Sequence, residues 1–502
     1  LVSIMYFTVL CCYLLYRLVQ RLLEWRRQWC LIEKLPGPEL ENTFIGNIKE
    51  TVVAPEDVPK ESIRRFKNWG GIYRTWILGY PFVFISDAKY AEVFFTAKAV
   101  ETKADIYRFL HVWVGLGLLN SRGETWQRRR KMIAPAFHFS ALSDFCQVFI
   151  NNTLTLIQQL RKNCDGTPVE VFSKMRMLAL DNICEIAMGF KVDALNNPNH
   201  DYIRAVEDVS HMVMQRIVKP WYWNDLIFFL LPEGRKHWRD LNTIFELTDK
   251  TRRHTGVSEF GTWKMLKSGK SAFIDILLQA SETDSIKLTD EDLRDEVNTF
   301  MFGGFDTAAN SMSFTLFLLG LHPEIQEKCY QELCDIFQDS DRRPTMGDLQ
   351  KMTYLEKVIR ESLRLFPSVP MLGREVTEDV QLGDYIIPKN SLLALPVYTL
   401  HRDPTVFPDP DKFDPERFNA EEAAGRHPYA YVPFAAGPRH CIGQKFALLE
   451  EKVTLSYILR DFTLESEHGM EDLELMFTLV VRSRKPLNVR FRRRKDCQQS
   501  DS

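Results

Sequence analysis

The sequence contains no C-x-x-C pair, no internal repeat and no low-complexity tract, and its two charge signs nearly cancel. Each absence removes a class of protein. Ten cysteines (Cys11, Cys12, Cys30, Cys146, Cys164, Cys184, Cys329, Cys334, Cys441 and Cys497) fall at spacings that match neither a zinc site nor a disulfide framework. Mostly free thiols in a reducing compartment follow from that. Without a repeat there is no solenoid or propeller. Lys plus Arg number 64 and Asp plus Glu 67, a net charge of −3, which provides no basic surface for nucleic acid. No G-x-G-x-x-G opens a βαβ unit, so no flavin or nicotinamide site of that kind is expected. Residues 1–16 carry no charge, and no small-residue cleavage site of a secretory signal follows them.

What is present begins with that uncharged run. Arg17, Arg21, Arg26 and Arg27 come after it, the reverse of the order in a signal peptide. Helical continuation through Leu18, Val19, Leu22 and Leu23, with the arginines snorkelling, completes the roughly 20 residues that span a bilayer. A helix lying on the membrane surface is the other reading, and both anchor the chain. The chain opens on Leu1 rather than methionine, as expected if residues precede it. The arginine excess on the C-terminal side predicts a body facing the cytosol. Leu35-Pro36-Gly37-Pro38 cannot continue a helix and forms a stiff elbow. The expected organisation is a membrane anchor over 1–34, a proline hinge over 35–38, one large domain over 39–495 and a polar tail over 496–502.

The body reads as mainly α. Helical patterns cover Ser140 to Leu160, Val171 to Ala187, Tyr202 to Ile217 and Leu231 to Thr251, and Arg252 to Lys270 reads as a surface loop. A minor β component is expected near residues 70–90 and 370–400. The longest helix starts at the Thr289 cap, with Asp290, Glu291 and Asp292 in its first turn, and ends before His322-Pro323. About 32 residues give about 48 Å of apolar helix, which must cross the middle of the domain. Gly303 and Gly304 stand at its centre, each weakening the helix by about 1 kcal/mol relative to Ala. They mark either a kink or a place where something flat lies against the backbone, with the acid Asp306 and the hydroxyl Thr307 beside it.

The decisive stretch is Phe434-Ala435-Ala436-Gly437-Pro438-Arg439-His440-Cys441-Ile442-Gly443. A turn-rich loop presents one cysteine just before a helical run, Gln444 to Ile458, and a helix N-terminus favours thiolate. Arg439 can pair with an anionic group on the same cofactor. The pattern resembles the haem-binding loop of the cytochromes P-450, and other elements agree in order: Glu361 and Arg364 at E-x-x-R spacing, Pro415-Glu416-Arg417-Phe418, and Trp126 with Arg130 in a W-x-x-x-R helix. The resemblance covers Pro36 to about Arg490.

That resemblance implies the cytochrome P-450 fold and haem b with Cys441 as the axial thiolate. Phe434, Gly437 and Gly443 would shape the loop, and Gly303 and Gly304 would lie against the haem. Trp126, Arg130, Arg374 and Arg439 would hold its propionates, and Asp306 and Thr307 would handle protons. Glu361, Arg364 and Arg417 would form a buried charge network. The implied activity is insertion of one oxygen atom of O2 into a C–H bond of a lipophilic substrate. Electrons would come from an NADPH–cytochrome P-450 reductase, with cytochrome b5 as a further partner and no nucleic acid. A patch including Arg128, Arg129, Arg130 and Lys131 would serve that docking. The implied location is the endoplasmic reticulum membrane. Within the superfamily the chain is most similar to family four, the fatty-acid ω-hydroxylases and their insect relatives, through Glu296-Val297-Asn298-Thr299-Phe300-Met301-Phe302, Phe137-His138-Phe139 and His427 to Phe434. Three positions depart: the family usually has Glu at Gly303, His at Phe305 and Thr at Ala308. The family's Glu esterifies a haem methyl, so here the haem is expected to be non-covalent apart from its iron ligand. A haem-thiolate isomerase or dehydratase is one rival reading, although such enzymes tend to lack the acid–alcohol pair. A non-catalytic haem or lipid carrier is the other, and it would need neither a thiolate nor a proton relay.

Overall fold

Thr289 opens the longest helix of the body with a capping box. Its hydroxyl accepts from the Asp292 amide at 3.1 Å, and the Asp292 carboxylate accepts from the Thr289 amide at 2.9 Å. The helix runs Asp290–Leu321 and stops where Pro323 forces His322 out of the helical region (φ −126°, ψ 77°). In the computed structural model, which describes residues 2–42, 45–162, 164–197, 200–254, 273–283, 287–338 and 340–494, this central helix threads the largest apolar cluster. Around it pack the helices Phe139–Lys162, Val171–Met188, Asp201–Val218, Pro232–His254, Thr353–Leu365 and Gln444–Asp461. Most of the surface-loop expectation, Arg252 to Lys270, lies outside the described residues. Arg252 to His254 belong to the end of a helix.

Four small sheets sit to one side and at the C-terminal end. The largest has the order Ile72–Ile77, Tyr80–Ile85, Leu392–Leu395, Leu372–Glu375, with the middle pair parallel and the outer pairs antiparallel. Tyr73 faces Phe84 across it, their rings stacked at 4.9 Å. A three-stranded sheet of Asp165–Glu170, Asn488–Arg493 and Phe462–Ser466 was not foreseen in the sequence, nor was the pair Leu475–Phe477 with Val481–Ser483.

The N-terminal helix spans Val2–Ile32, and Met5–Ile32 is long and apolar enough to cross a membrane by length and composition. Met5 to Glu24 is exposed throughout. Beyond that the helix belongs to the body. Trp29 stacks on Trp76 at 4.8 Å, and Glu33 accepts from Trp76 Nε1 at 2.8 Å and from Arg74 Nη2 at 2.7 Å. Arg74 also pins the proline elbow, donating its amide to the Pro36 carbonyl at 2.9 Å and Nη1 to the Pro38 carbonyl at 2.6 Å. Gly37 is required there, since a Cβ would lie 2.4 Å from the Arg74 carbonyl oxygen.

Candidate active site

The cysteine loop closes on itself. The Cys441 amide donates to the Phe434 carbonyl at 2.8 Å and the His440 amide to the Gly437 carbonyl at 3.1 Å. Gly437 adopts φ +67°, and a Cβ there would meet the Phe95 carbonyl oxygen at 2.2 Å, so no other residue fits. Gly443 precedes the helix Gln444–Asp461, and a Cβ on it would be 3.8 Å from the Cys441 sulfur. Cys441 is surrounded by protein, yet its side chain is accessible. Burial pushes its thiol up from the ordinary value, opposed by the Gly443 N–H, Arg130 and Lys103. The helix terminus alone therefore does not win, contrary to the sequence expectation. A bound cation is what removes such a proton outright.

Beside the loop stands a group of cations with few anions among them. Arg374, 2 % exposed on the strand Leu372–Glu375, has no partner for Nη1 among the described residues. Arg439 lies over the Trp126 ring at 4.1 Å and donates Nη2 to the Ser121 carbonyl at 2.9 Å, but Nε and Nη1 have no partner among the described residues. Burial, then Arg374, brings Arg439 down to about 10. Lys103, which the sequence reading missed, is held well below its usual value by burial, then by Arg374 and Arg439. Nothing in the surrounding sequence marks it. Arg130, on the helix Gly123–Ile133, grips the loop instead, with Nη1 on the His440 carbonyl and Nη2 on His440 Nε2, each at 3.0 Å. Buried donors left unused cost free energy that carboxylates of a ligand would recover.

On the central helix Gly303 has open space where a Cβ would be, with nothing within 4 Å. Thr307, one turn on, donates its hydroxyl to the Gly303 carbonyl at 2.6 Å. Gly304 points elsewhere: a Cβ on it would lie 2.6 Å from Ile183 Cδ1, so this glycine lets the helix Val171–Met188 approach rather than receiving a flat cofactor. Asp306 also departs from expectation. It is turned about 100° from Thr307 around the helix. It is 2 % exposed, accepting from Arg482 Nη2 at 2.6 Å with Arg176 Nε at 3.4 Å. The acid is clamped between two arginines instead of lying free beside the gap. Phe137 ties the two halves together: it stacks on Phe300 of the central helix at 5.6 Å, and its ring is 4.0 Å from a Cβ on Gly443.

One deep thiol at a helix start, buried cations with spare N–H groups and a helix face bare at Gly303 together fit a flat, dianionic, iron-bearing group. The cytochrome P450 family profile matches residues 36–491. The chain belongs to the cytochrome P450 family. Cytochrome P450 4V2 of Homo sapiens is 39% identical over 492 residues, covering 95% of this chain and 93% of its own. Cytochrome P450 4c3 of Drosophila melanogaster is 39% identical over 484 residues, covering 92% and 89%. The crystal structure of the cytochrome P450DA heme domain superposes with a TM-score of 0.79 at 24% identity, over 92% of this chain and 98% of that one. The enzyme is a membrane-bound haem-thiolate monooxygenase with haem b and an axial cysteine thiolate. That cofactor, when bound, supplies the reductive activation of dioxygen.

In this P450 the charge network behind the loop is complete. Glu361 and Arg364 are wholly buried and paired at 2.7 and 2.8 Å, and Arg417 Nε stands 3.5 Å from Glu361. Arg364 also donates to the carbonyls of His401 at 3.0 Å, Pro410 at 2.7 Å and Lys412 at 3.0 Å. His401 Nε2 in turn accepts from the Val432 amide at 2.9 Å, two residues before Phe434. The network thus reaches the cysteine loop through one imidazole. The expected basic docking patch is broken up, because Arg129 is buried in an ion pair with Glu296 at 2.6 Å and with Asp292.

Proposed function

We propose that Cys441 is the axial ligand and that the enzyme hydroxylates a long-chain fatty acid or related lipid arriving from the bilayer. Electrons come from an NADPH–cytochrome P450 reductase, with cytochrome b5 as a further donor, at the endoplasmic reticulum with the body in the cytosol. Arg374, Arg439, Trp126 and Lys103 hold the propionates, and Arg130 holds the cysteine loop through His440. Thr307 donates its hydroxyl to the Gly303 carbonyl, which leaves its oxygen free to accept one O–H of a water whose other proton then faces the open space. Asp306 supplies protons only when one of its two arginines lets go.

The observation that carries the lipid reading is an apolar surface shared by the anchor and the cover of the site. A Cβ on Gly79 would be 3.7 Å from Trp25 of the anchor helix, in the turn that exposes Leu78 and Tyr80. Tyr80 meets Trp223 edge-on at 6.4 Å, and Trp221, Leu226, Ile227 and Leu230 follow, all exposed. An apolar patch continuous with a membrane helix favours burial in lipid, at about 25 cal/mol per Å². Reconstitution with the reductase and NADPH, a fatty-acid series and product analysis by mass spectrometry test this. Hydroxylated acids are expected. Turnover of unrelated lipophiles with no fatty acyl product would contradict it.

A further inference from the structure

Arg216, near the end of the helix Asp201–Val218, is completely buried, which costs a guanidinium several kcal/mol unless its donors are used. Nε donates to the Tyr222 carbonyl at 3.2 Å and Nη2 to Asp225, but Nη1 has no partner among the described residues. Asp225 is itself largely exposed, at the start of the short helix Asp225–Leu230. The rings of Phe109 and Phe228 lie against the guanidinium, 4.4 and 4.2 Å from Cζ. His237, 2 % exposed and 5.8 Å from the Phe228 ring, has no partner for either nitrogen among the described residues. Burial, then Arg216, holds its pKa down to about 4, so at neutral pH the imidazole is neutral with one N–H to give.

A line of packed apolar side chains runs from this cluster to the bare face of the central helix. Phe109 and Trp113 are four residues apart on one helical run, and Trp113 meets Phe302 at 4.7 Å, next to Gly303. A surface cleft of about 390 Å³ lined by Val112, Phe229, Gly234, Arg235 and Trp238 opens alongside, a volume suited to a small molecule. We infer that Arg216 binds the carboxylate of a long-chain acid whose far end reaches the open face at Gly303. The carboxylate accepts from Nη1 and from the His237 N–H, and it competes with Asp225. This orientation puts the terminal carbons rather than the acid group at the reacting end, and it rests on the lipid reading above.

The test compares dodecanoate with its methyl ester, titrated into the full-length holoenzyme while haem absorbance is followed. A charge-assisted hydrogen bond predicts that the acid binds at least about 10-fold tighter. R216Q should erase that preference and leave the ester's affinity unchanged. D225N, which keeps a hydrogen-bond acceptor on Arg216 Nη2 and removes only the competing charge, should tighten the acid alone, and it carries the test if R216Q does not fold. Equal affinities in the wild type, a preference that survives R216Q, or a D225N effect shared by acid and ester would overturn the anchor. If neither compound perturbs the haem, the lipid reading falls and takes the anchor with it.

Discussion

Arg364 behind the cysteine loop and Arg216 beneath the cover segment are both wholly buried, but they are finished differently. Each nitrogen of Arg364 has a partner: Glu361 takes two, and three carbonyls take the rest. Among the described residues Arg216 keeps one nitrogen unused, as does Arg374 beside the cysteine, and Arg439 keeps two. The saturated Arg364 holds the backbone in place. On the reading proposed above, the spare donors of Arg216, Arg374 and Arg439 serve ligands, so the loop side provides rigidity and the cover side and cation cluster provide binding.

The comparison is broken most severely at Glu361. Glu361→Ala leaves Arg364 buried without its counter-charge, at a cost of about 3–5 kcal/mol out of a domain's roughly 5–15. Little folded holoprotein should be recovered. Normal haem content and thermal stability would show that the network does not support the loop.

A smaller effect is expected from two carboxyls on the helix that follows the cysteine. Glu450 and Glu451 are buried with only neutral partners, Asn182 at 2.8 Å and Ser311 at 2.9 Å. Burial pushes both up to about 8. The folded state thus holds protons that the unfolded chain releases near pH 4.3. Their contribution is intact below that pH, declines as pH rises toward 8 by about 1.4 kcal/mol per pH unit for each group, and then levels off. E450Q or E451Q should therefore flatten the fall of Tm between pH 6 and 8. An unchanged slope would mean that the carboxyls ionise in place.

On the ligand side, substitutions should spare the fold and alter turnover. Thr307→Ala should keep haem content while hydrogen peroxide replaces product. The loss should lie near the lower end of the about 10²–10⁴-fold that a positioned proton carrier contributes, because water can occupy the site. Unchanged coupling of NADPH to product would remove Thr307 from the chemistry. The mildest test concerns Gly303, which has no side chain to bond to a haem methyl. Acidic organic solvent should extract all the haem from the wild type. Haem that stays with the protein in denaturing chromatography would contradict this.

Much of this was legible in the sequence where the signal is local. The central helix shows both ends because a capping box and a His-Pro stop are written within a few residues of each other. The cysteine loop is readable because Gly437 answers to backbone conformation. What failed was orientation and long-range pairing. Asp306 follows Gly303 in the motif, but the face it occupies depends on Arg176 and Arg482, distant in sequence. Arg129 looks like part of a basic run until Glu296 is folded against it. The strand Asp165–Glu170 contains Gly166 and Pro168 and lacks alternation, so only its pairing with Asn488–Arg493 reveals it.

The central claim is that Cys441 carries the iron. The reduced, carbon-monoxide-bound protein owes its red-shifted absorption band to an axial thiolate, so Cys441→Ser should abolish that band in protein that still binds haem. The band persisting at full intensity in the variant would contradict the account.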